Sequence, residues 1–383
     1  MENPMNRKPL AIWIVLTSLL LTAVPAWAVD PNPADGQASS DLQRYLYVAS
    51  PGIRDYLEYG GHGILVFNID DDHKFVRRIS LDGYGVDEQG KPINVKGVCA
   101  NAATERIYVS TKQQLICVDL LTDKVLWQRE YPLGCDRMSI SPDGSTIYQP
   151  SFEKDRWYVL NAEDGSIVTE IVPNSRAHNT VYAVDGSEAY LAGLGSPLLT
   201  VTDGKTHKVL RTIGPFSAPI RPFTVNGDSS LVFVNVNELL GFEIGDLKTG
   251  KKLHRVEVTG VPRGKPLRHG CPSHGIAMTP DEQQIWVSDG FNSTVHVFDS
   301  TVMPPKLIES IKLRGQPGWV TFSIDGSIGW PSTGQAIDTK THQIIAALTD
   351  EDGRAVESEK VLEIDFKHGK VVAAGDQFGR GQK

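Results

Sequence analysis

The chain repeats itself, and the period of the repeat restricts what it can fold into. Each copy contains a tight turn: SPDGS at Ser141–Ser145, VDGSE at Val184–Glu188, NGDSS at Asn226–Ser230, TPDEQ at Thr279–Gln283 and SIDGS at Ser323–Ser327. Asp-Gly and Asn-Gly pairs suit the positive φ angles of hairpin turns. A segment rich in β-branched and aromatic residues accompanies each turn, as in RIYVST, TIYQPSF, EAYLAGL, LVFVNVN, QIWVSDG and IGWPST. A third strand and a second turn follow, as in CVDLLTDKVLW and AIDTKTHQIIAAL. First strands starting at Gly97, Asp136, His178, Arg221, His274 and Gly318 lie 39, 42, 43, 53 and 44 residues apart. Four short strands in about 40–45 residues make one propeller blade.

Six starts account for six blades, and the two ends of the chain supply the seventh. RYLYVAS, GILVFNID and FVRRISL near the N-terminus are three strands that lack a first one. VLEIDFKHGKVVAAGD near the C-terminus offers the missing strand. The expected fold is all-β: a seven-bladed β-propeller of four-stranded blades over residues 44–383. Its ring is closed by a C-terminal strand that completes the N-terminal blade. Closure removes free sheet edges, which would otherwise pair with other chains.

Two segments carry a more specific resemblance. IWVSDGFNSTVHVFDS at Ile285–Ser300 and RIYVSTKQQLICVDLLTDKVLWQ at Arg106–Gln128 resemble the YVTN repeat. The likeness extends over essentially the whole of residues 44–383 and implies a propeller. Lactonase-like enzymes, surface-layer proteins and quinoprotein dehydrogenase subunits share such blades, so the resemblance does not imply one function.

The first residues read as an export signal. Met1–Lys8 is short and basic, Leu10–Val24 is almost wholly apolar, and Ala26-Trp27-Ala28 is a small-x-small cleavage site. Residues 1–28 are thus expected to be removed, leaving a periplasmic or secreted protein without a membrane span. Residues 29–43 read as a disordered Pro- and Ser-rich leader. The net charge of -8, without a basic block, argues against a nucleic-acid partner. Four cysteines do not make a disulfide scaffold in a chain of this length. Cys117 reads as a buried thiol, and one disulfide among Cys99, Cys135 and Cys271 is left open.

Propeller geometry points to a working face. Loops entering first strands and loops joining strands two and three open on the same end of the channel. The three longest departures from the minimal repeat are Pro51–His62, Asp82–Gly97 and Thr259–Ser273, and all belong to such loops. Insertions of this kind often build a binding surface. The residues that begin the channel strands are polar or charged: Asp136, Arg137, His178, Asn179, Arg221 and His274, with Trp319 beside them. His62 ends the first insertion and can join them, and Tyr56 and Tyr59 can stack on a ligand.

Arg137 and Arg221 suit a carboxylate or phosphate, which a guanidinium grips with two hydrogen bonds. His178 and His274 suit general base and acid roles. With His62 they form a conceivable three-His metal site, although no HxH or HExxH spacing supports it. The plainer alternative is that such residues only bond neighbouring blades. Asp119, Asp299 and Asp338, at the ends of third strands, read as structural residues, and the aspartates of SPDG and SIDGS as turn chemistry. The leading expectation is a monomeric propeller that binds a small anionic molecule or a protein at the channel mouth. Alternatives are a hydrolase or lyase of lactone or ester type at the same mouth, with His178, His274, Arg137 and Arg221 catalytic, and a dehydrogenase-associated subunit. The sequence names no cofactor and has no CxxCH haem motif.

Overall fold

A computed structural model of the chain describes residues 41–81, 89–91 and 93–383. The expected export signal and nearly all of the expected leader lie outside the described residues, as does part of the second insertion. The described chain forms seven antiparallel sheets arranged as a seven-bladed β-propeller. Six sheets have four strands in simple meander order. In the second blade these are Val95–Asn101, Arg106–Thr111, Gln114–Asp119 and Val125–Glu130.

The first blade closes the ring. Strand Val361–Lys367 pairs antiparallel with Leu42–Ser50, with Tyr45 opposite Ile364 and Tyr47 opposite Leu362. Gly63–Asn68 and Lys74–Ile79 complete the blade outwards. This sheet has a fifth strand, Lys370–Ala374, on the channel side of Val361–Lys367. His368 and Gly369 both have positive φ, 51° and 74°, and turn the chain back between the two strands. The expected four-stranded first blade, closed by Val361–Lys367, thus carries one added strand on its inner edge.

The hydrophobic core lies between blades. Seven clusters of buried residues occupy the seven blade interfaces. One joins Tyr47 and Val66 of the first blade to Val98 and Ile107 of the second. Another joins Leu46 and Leu65 of the first blade to Trp330 of the seventh. Each middle strand is therefore apolar on both faces: Ile107, Tyr108 and Val109 are all fully buried. The outermost strands face water on one side and carry Leu126, Val168, Leu210 and Ile345 exposed.

Turn chemistry matches the repeat. Asp119 Oδ1 accepts the backbone N–H groups of Leu121 and Thr122 and the Thr122 hydroxyl. Asp299 and Asp338 cap their own turns in the same way. These aspartates hold turns, which gives the structural role expected of them a specific form. The four cysteines are free and buried, so the disulfide left open by the sequence does not form. Among the described residues, no helix is long and apolar enough to cross a membrane.

Candidate functional site

The three insertions meet at one end of the channel. Ile53, Arg54 and Asp55 from the first, Asn94 and Lys96 from the second, and Arg268, His269 and Gly270 from the third line one cavity of about 260 Å³. Arg137, His178, Arg221 and His274 line it from the starts of channel strands. Glu359 and Lys360 line it from the segment that enters the closing strand. The ring explains this convergence, because every first strand begins at this end of the axis.

Glu359 is the hub of the polar network. Arg137 Nη2 donates to its Oε2 at 2.6 Å, and Lys360 Nζ donates to the same oxygen at 2.7 Å. Lys360 also donates to the Gly52 carbonyl at 2.9 Å, anchoring the first insertion. His269 Nε2 lies 3.2 Å from the other oxygen, Oε1. The His269 ring stacks on His274, with centroids 4.2 Å apart and planes 18° apart. His274 Nδ1 donates to the Gly318 carbonyl at 2.9 Å, so its Nε2 carries the lone pair in the neutral ring. Asp136 is fully buried behind the wall. Its Oδ1 faces Lys96 Nζ at 3.5 Å and Arg137 Nη1 at 3.6 Å, and its Oδ2 faces His178 Nδ1 at 3.6 Å.

Charge here is set by burial and by cations. Among the described residues the lining holds seven basic side chains and three acidic ones, in a protein whose net charge is -8. Burial, aided by the neighbouring Arg137 charge, pushes Lys360 down to about 7. Burial lowers Lys96 as well. Burial and the Arg137 charge hold His178 well below the ordinary histidine range. Burial holds His269 near 4 and His274 well below its usual value. All three imidazoles are therefore neutral at pH 7. Burial opposes the Glu359 charge, but Lys360 and Arg137 outweigh it and keep the carboxylate ionised.

The other residues singled out in the sequence occupy varied places. Arg137, His178, Arg221 and His274 all line the cavity. Asp136 and Asn179 are buried beside it, and Asn179 bridges Arg137 in a parallel pairing. Trp319 is buried, with the Arg137 guanidinium 4.7 Å from its ring centroid. Tyr56 and Tyr59 pack edge to face in the first insertion, and Tyr59 lies under Arg268 at 4.7 Å. Neither tyrosine lines the cavity. His62 also lies outside the lining, where its carbonyl accepts Arg78 Nη1. A metal site that joins His62 to His178 and His274 is not the grouping that the fold assembles. Among the described residues, the grouped ligand-type side chains are His269, His274 and Glu359.

Sequence reasoning missed His269, Glu359, Lys360, Lys96 and Arg268 as site residues. Three of them sit inside insertions already marked as mouth-forming. Glu359 and Lys360 directly precede the strand expected to close the ring, and that position alone places them at the mouth.

The fold and the site define a class: a seven-bladed β-propeller with a basic, histidine-bearing channel mouth. No protein-family model matches the chain. No curated protein matches it either. Among solved structures, a similar one is the dihydro-heme d1 dehydrogenase NirN in complex with DHE. The two share 16% identity at a TM-score of 0.59, over 88% of this chain and 73% of that one. At this identity the likeness is one of fold.

Proposed function

We propose that the channel mouth binds a small anionic molecule bearing a carboxylate or phosphate. The observation that carries this reading is the excess, among the described residues, of seven basic over three acidic side chains around a cavity of about 260 Å³. A cleft lined by one sign of charge concentrates ligands of the other sign. Arg221 is positioned for the task, since its Nε is held by Asn237 Oδ1 at 2.5 Å. The cavity is smaller than the roughly 300–1,000 Å³ typical of drug-sized ligands. That size favours a compact anion over a macrocycle such as the haem named with NirN.

The test is ligand-dependent thermal stability with small carboxylates and inorganic phosphate. Stabilisation that weakens with added salt and is lost in Arg221→Ala supports the proposal. Absence of any anion effect, or an effect indifferent to Arg221→Ala, refutes it.

A second reading is hydrolase or lyase chemistry of the lactone or ester type at the same mouth. It is favoured by the neutral His178 and His274 rings, whose centroids lie 6.4 Å apart beside Arg137. It requires His178→Ala and His274→Ala to abolish turnover in a folded protein. The YVTN-like blades suit either reading. The export signal at residues 1–28 would place this monomer in the periplasm or outside the cell. The mass of the exported protein, beginning at Val29, checks that placement.

A further inference from the structure

The mouth holds a second chemistry that an anion site does not need. Among the described residues, His269, His274 and Glu359 form a group whose ligand atoms all lie within 4.8 Å of one another. We propose that these three side chains bind a divalent transition-metal ion of the zinc type, with an open position facing the cavity.

Each of the three has one atom left for a metal. The Nδ1–H of His274 is committed to the Gly318 carbonyl at 2.9 Å, which leaves Nε2 as the donor. An outer hydrogen bond of this kind orients metal-binding histidines generally. Oε2 of Glu359 is taken by Arg137 and Lys360, which leaves Oε1 for the metal. The His269 side chain is only 10% exposed, and its Nε2 has no hydrogen-bond partner. It lies 3.2 Å from Oε1 without the geometry of a hydrogen bond. A buried, unpaired nitrogen facing a carboxylate costs free energy that a bound cation would recover.

The donor set narrows the metal. Two imidazole nitrogens and one carboxylate oxygen form a borderline set suited to zinc and its first-row neighbours. Calcium and magnesium prefer all-oxygen sites. Tetrahedral zinc places its ligand atoms about 3.4 Å apart with each imidazole lone pair aimed at the ion, so the group, now within 4.8 Å, must close and the His269 ring must tilt off the His274 ring on which it stacks. The neighbouring Arg137 and Lys360 weaken the attraction for a cation. Selectivity must therefore come from the nitrogen ligands and not from the local field.

The experiment is titration calorimetry of chelator-treated, desalted full-length protein with zinc chloride. One equivalent should bind, and His269→Ala should weaken it at least tenfold while the protein still unfolds cooperatively. Cobalt(II) in place of zinc should give visible absorption that is absent from His269→Ala. Arg221→Ala should keep the metal while losing the anion, which separates this proposal from the preceding one. Failure of wild type to bind zinc overturns the inference. So does binding that survives His269→Ala, because it would arise from other histidines.

Discussion

The side-chain carbonyl of Gln377 accepts the backbone N–H of Val98 at 3.1 Å across a separation of 279 residues. Its Nε2 donates to Met138 O at 3.3 Å, and its main-chain carbonyl accepts Trp319 Nε1. One residue thus joins the second, third and seventh blades. Two residues later, the Gly379 carbonyl accepts Met278 N at 2.6 Å and the Thr224 hydroxyl at 2.9 Å, adding the sixth and fifth blades. Phe378, 1% exposed, packs among the residues between the fourth and fifth blades.

A chain ending at Ala374 is therefore expected to lose cross-ring hydrogen bonds and one buried aromatic side chain together. The cost should be roughly 3–5 kcal/mol. Urea unfolding of the truncated chain measures it. Gln377→Ala alone should cost about 1–3 kcal/mol, because it leaves the buried Val98 N–H unpaired. Unchanged midpoints in both variants would reduce the tail to a passenger.

Acid should weaken the interface between the first and seventh blades. His73 is buried there, and its Nε2 accepts the Trp330 Nε1–H at 3.0 Å, which requires an unprotonated nitrogen. Burial, together with the Arg44 charge, lowers its pKa from 6.5 to about 4. Between these values the unfolded chain binds a proton that the folded chain excludes. The stabilisation is complete above pH 6.5 and is lost as pH falls through 4, by at most about 3 kcal/mol. His73 has a φ of 56°, a conformation that asparagine tolerates. His73→Asn should flatten the stability profile in that window. A slope identical to wild type would assign the acid response to other groups.

The fold was legible in the sequence because turn chemistry and strand patterning repeat with it. SPDGS and SIDGS occupy equivalent turns, and Asp143 and Asp325 cap them identically through Ser145 and Ser327. The closing strand was legible because three N-terminal strands lacked a partner. The fifth strand was not, since nothing in VVAAGD distinguishes an inner fifth strand from an ending. The site was legible only where it borrowed the repeat: Arg137, His178, Arg221 and His274 begin channel strands. His269 lies in a loop without periodicity, and its stacking on His274 depends on how that loop returns to the axis.

The cysteines offer a direct check on the interior. Burial pushes Cys99 and Cys135 well above the ordinary thiol range, and Cys117 and Cys271 up to about 12. Thiolate is the reactive form, so the native protein should resist alkylation at pH 8. All four should react once urea unfolds it, without prior reduction. Two alkylations instead of four would reveal a disulfide that the fold does not contain.

Gly318 gives the last test, because it sits where the stacked rings meet the closing segment. A methyl group there would lie 2.0 Å from His269 Nε2 and 2.5 Å from Glu359 Oε1. Both atoms end flexible side chains, so the ring should survive Gly318→Ala while His269 and Glu359 swing aside. The stability cost should be about 1–2 kcal/mol. The His269 and His274 ring resonances should shift in the NMR spectrum, and that of His73 should not. Arg137 and Lys360 would lose their shared carboxylate, which should strengthen their grip on an added anion. A folded variant with unmoved histidine resonances would mean that the His269 ring does not lie against Gly318, and the stacked pair would have to be placed elsewhere in the mouth.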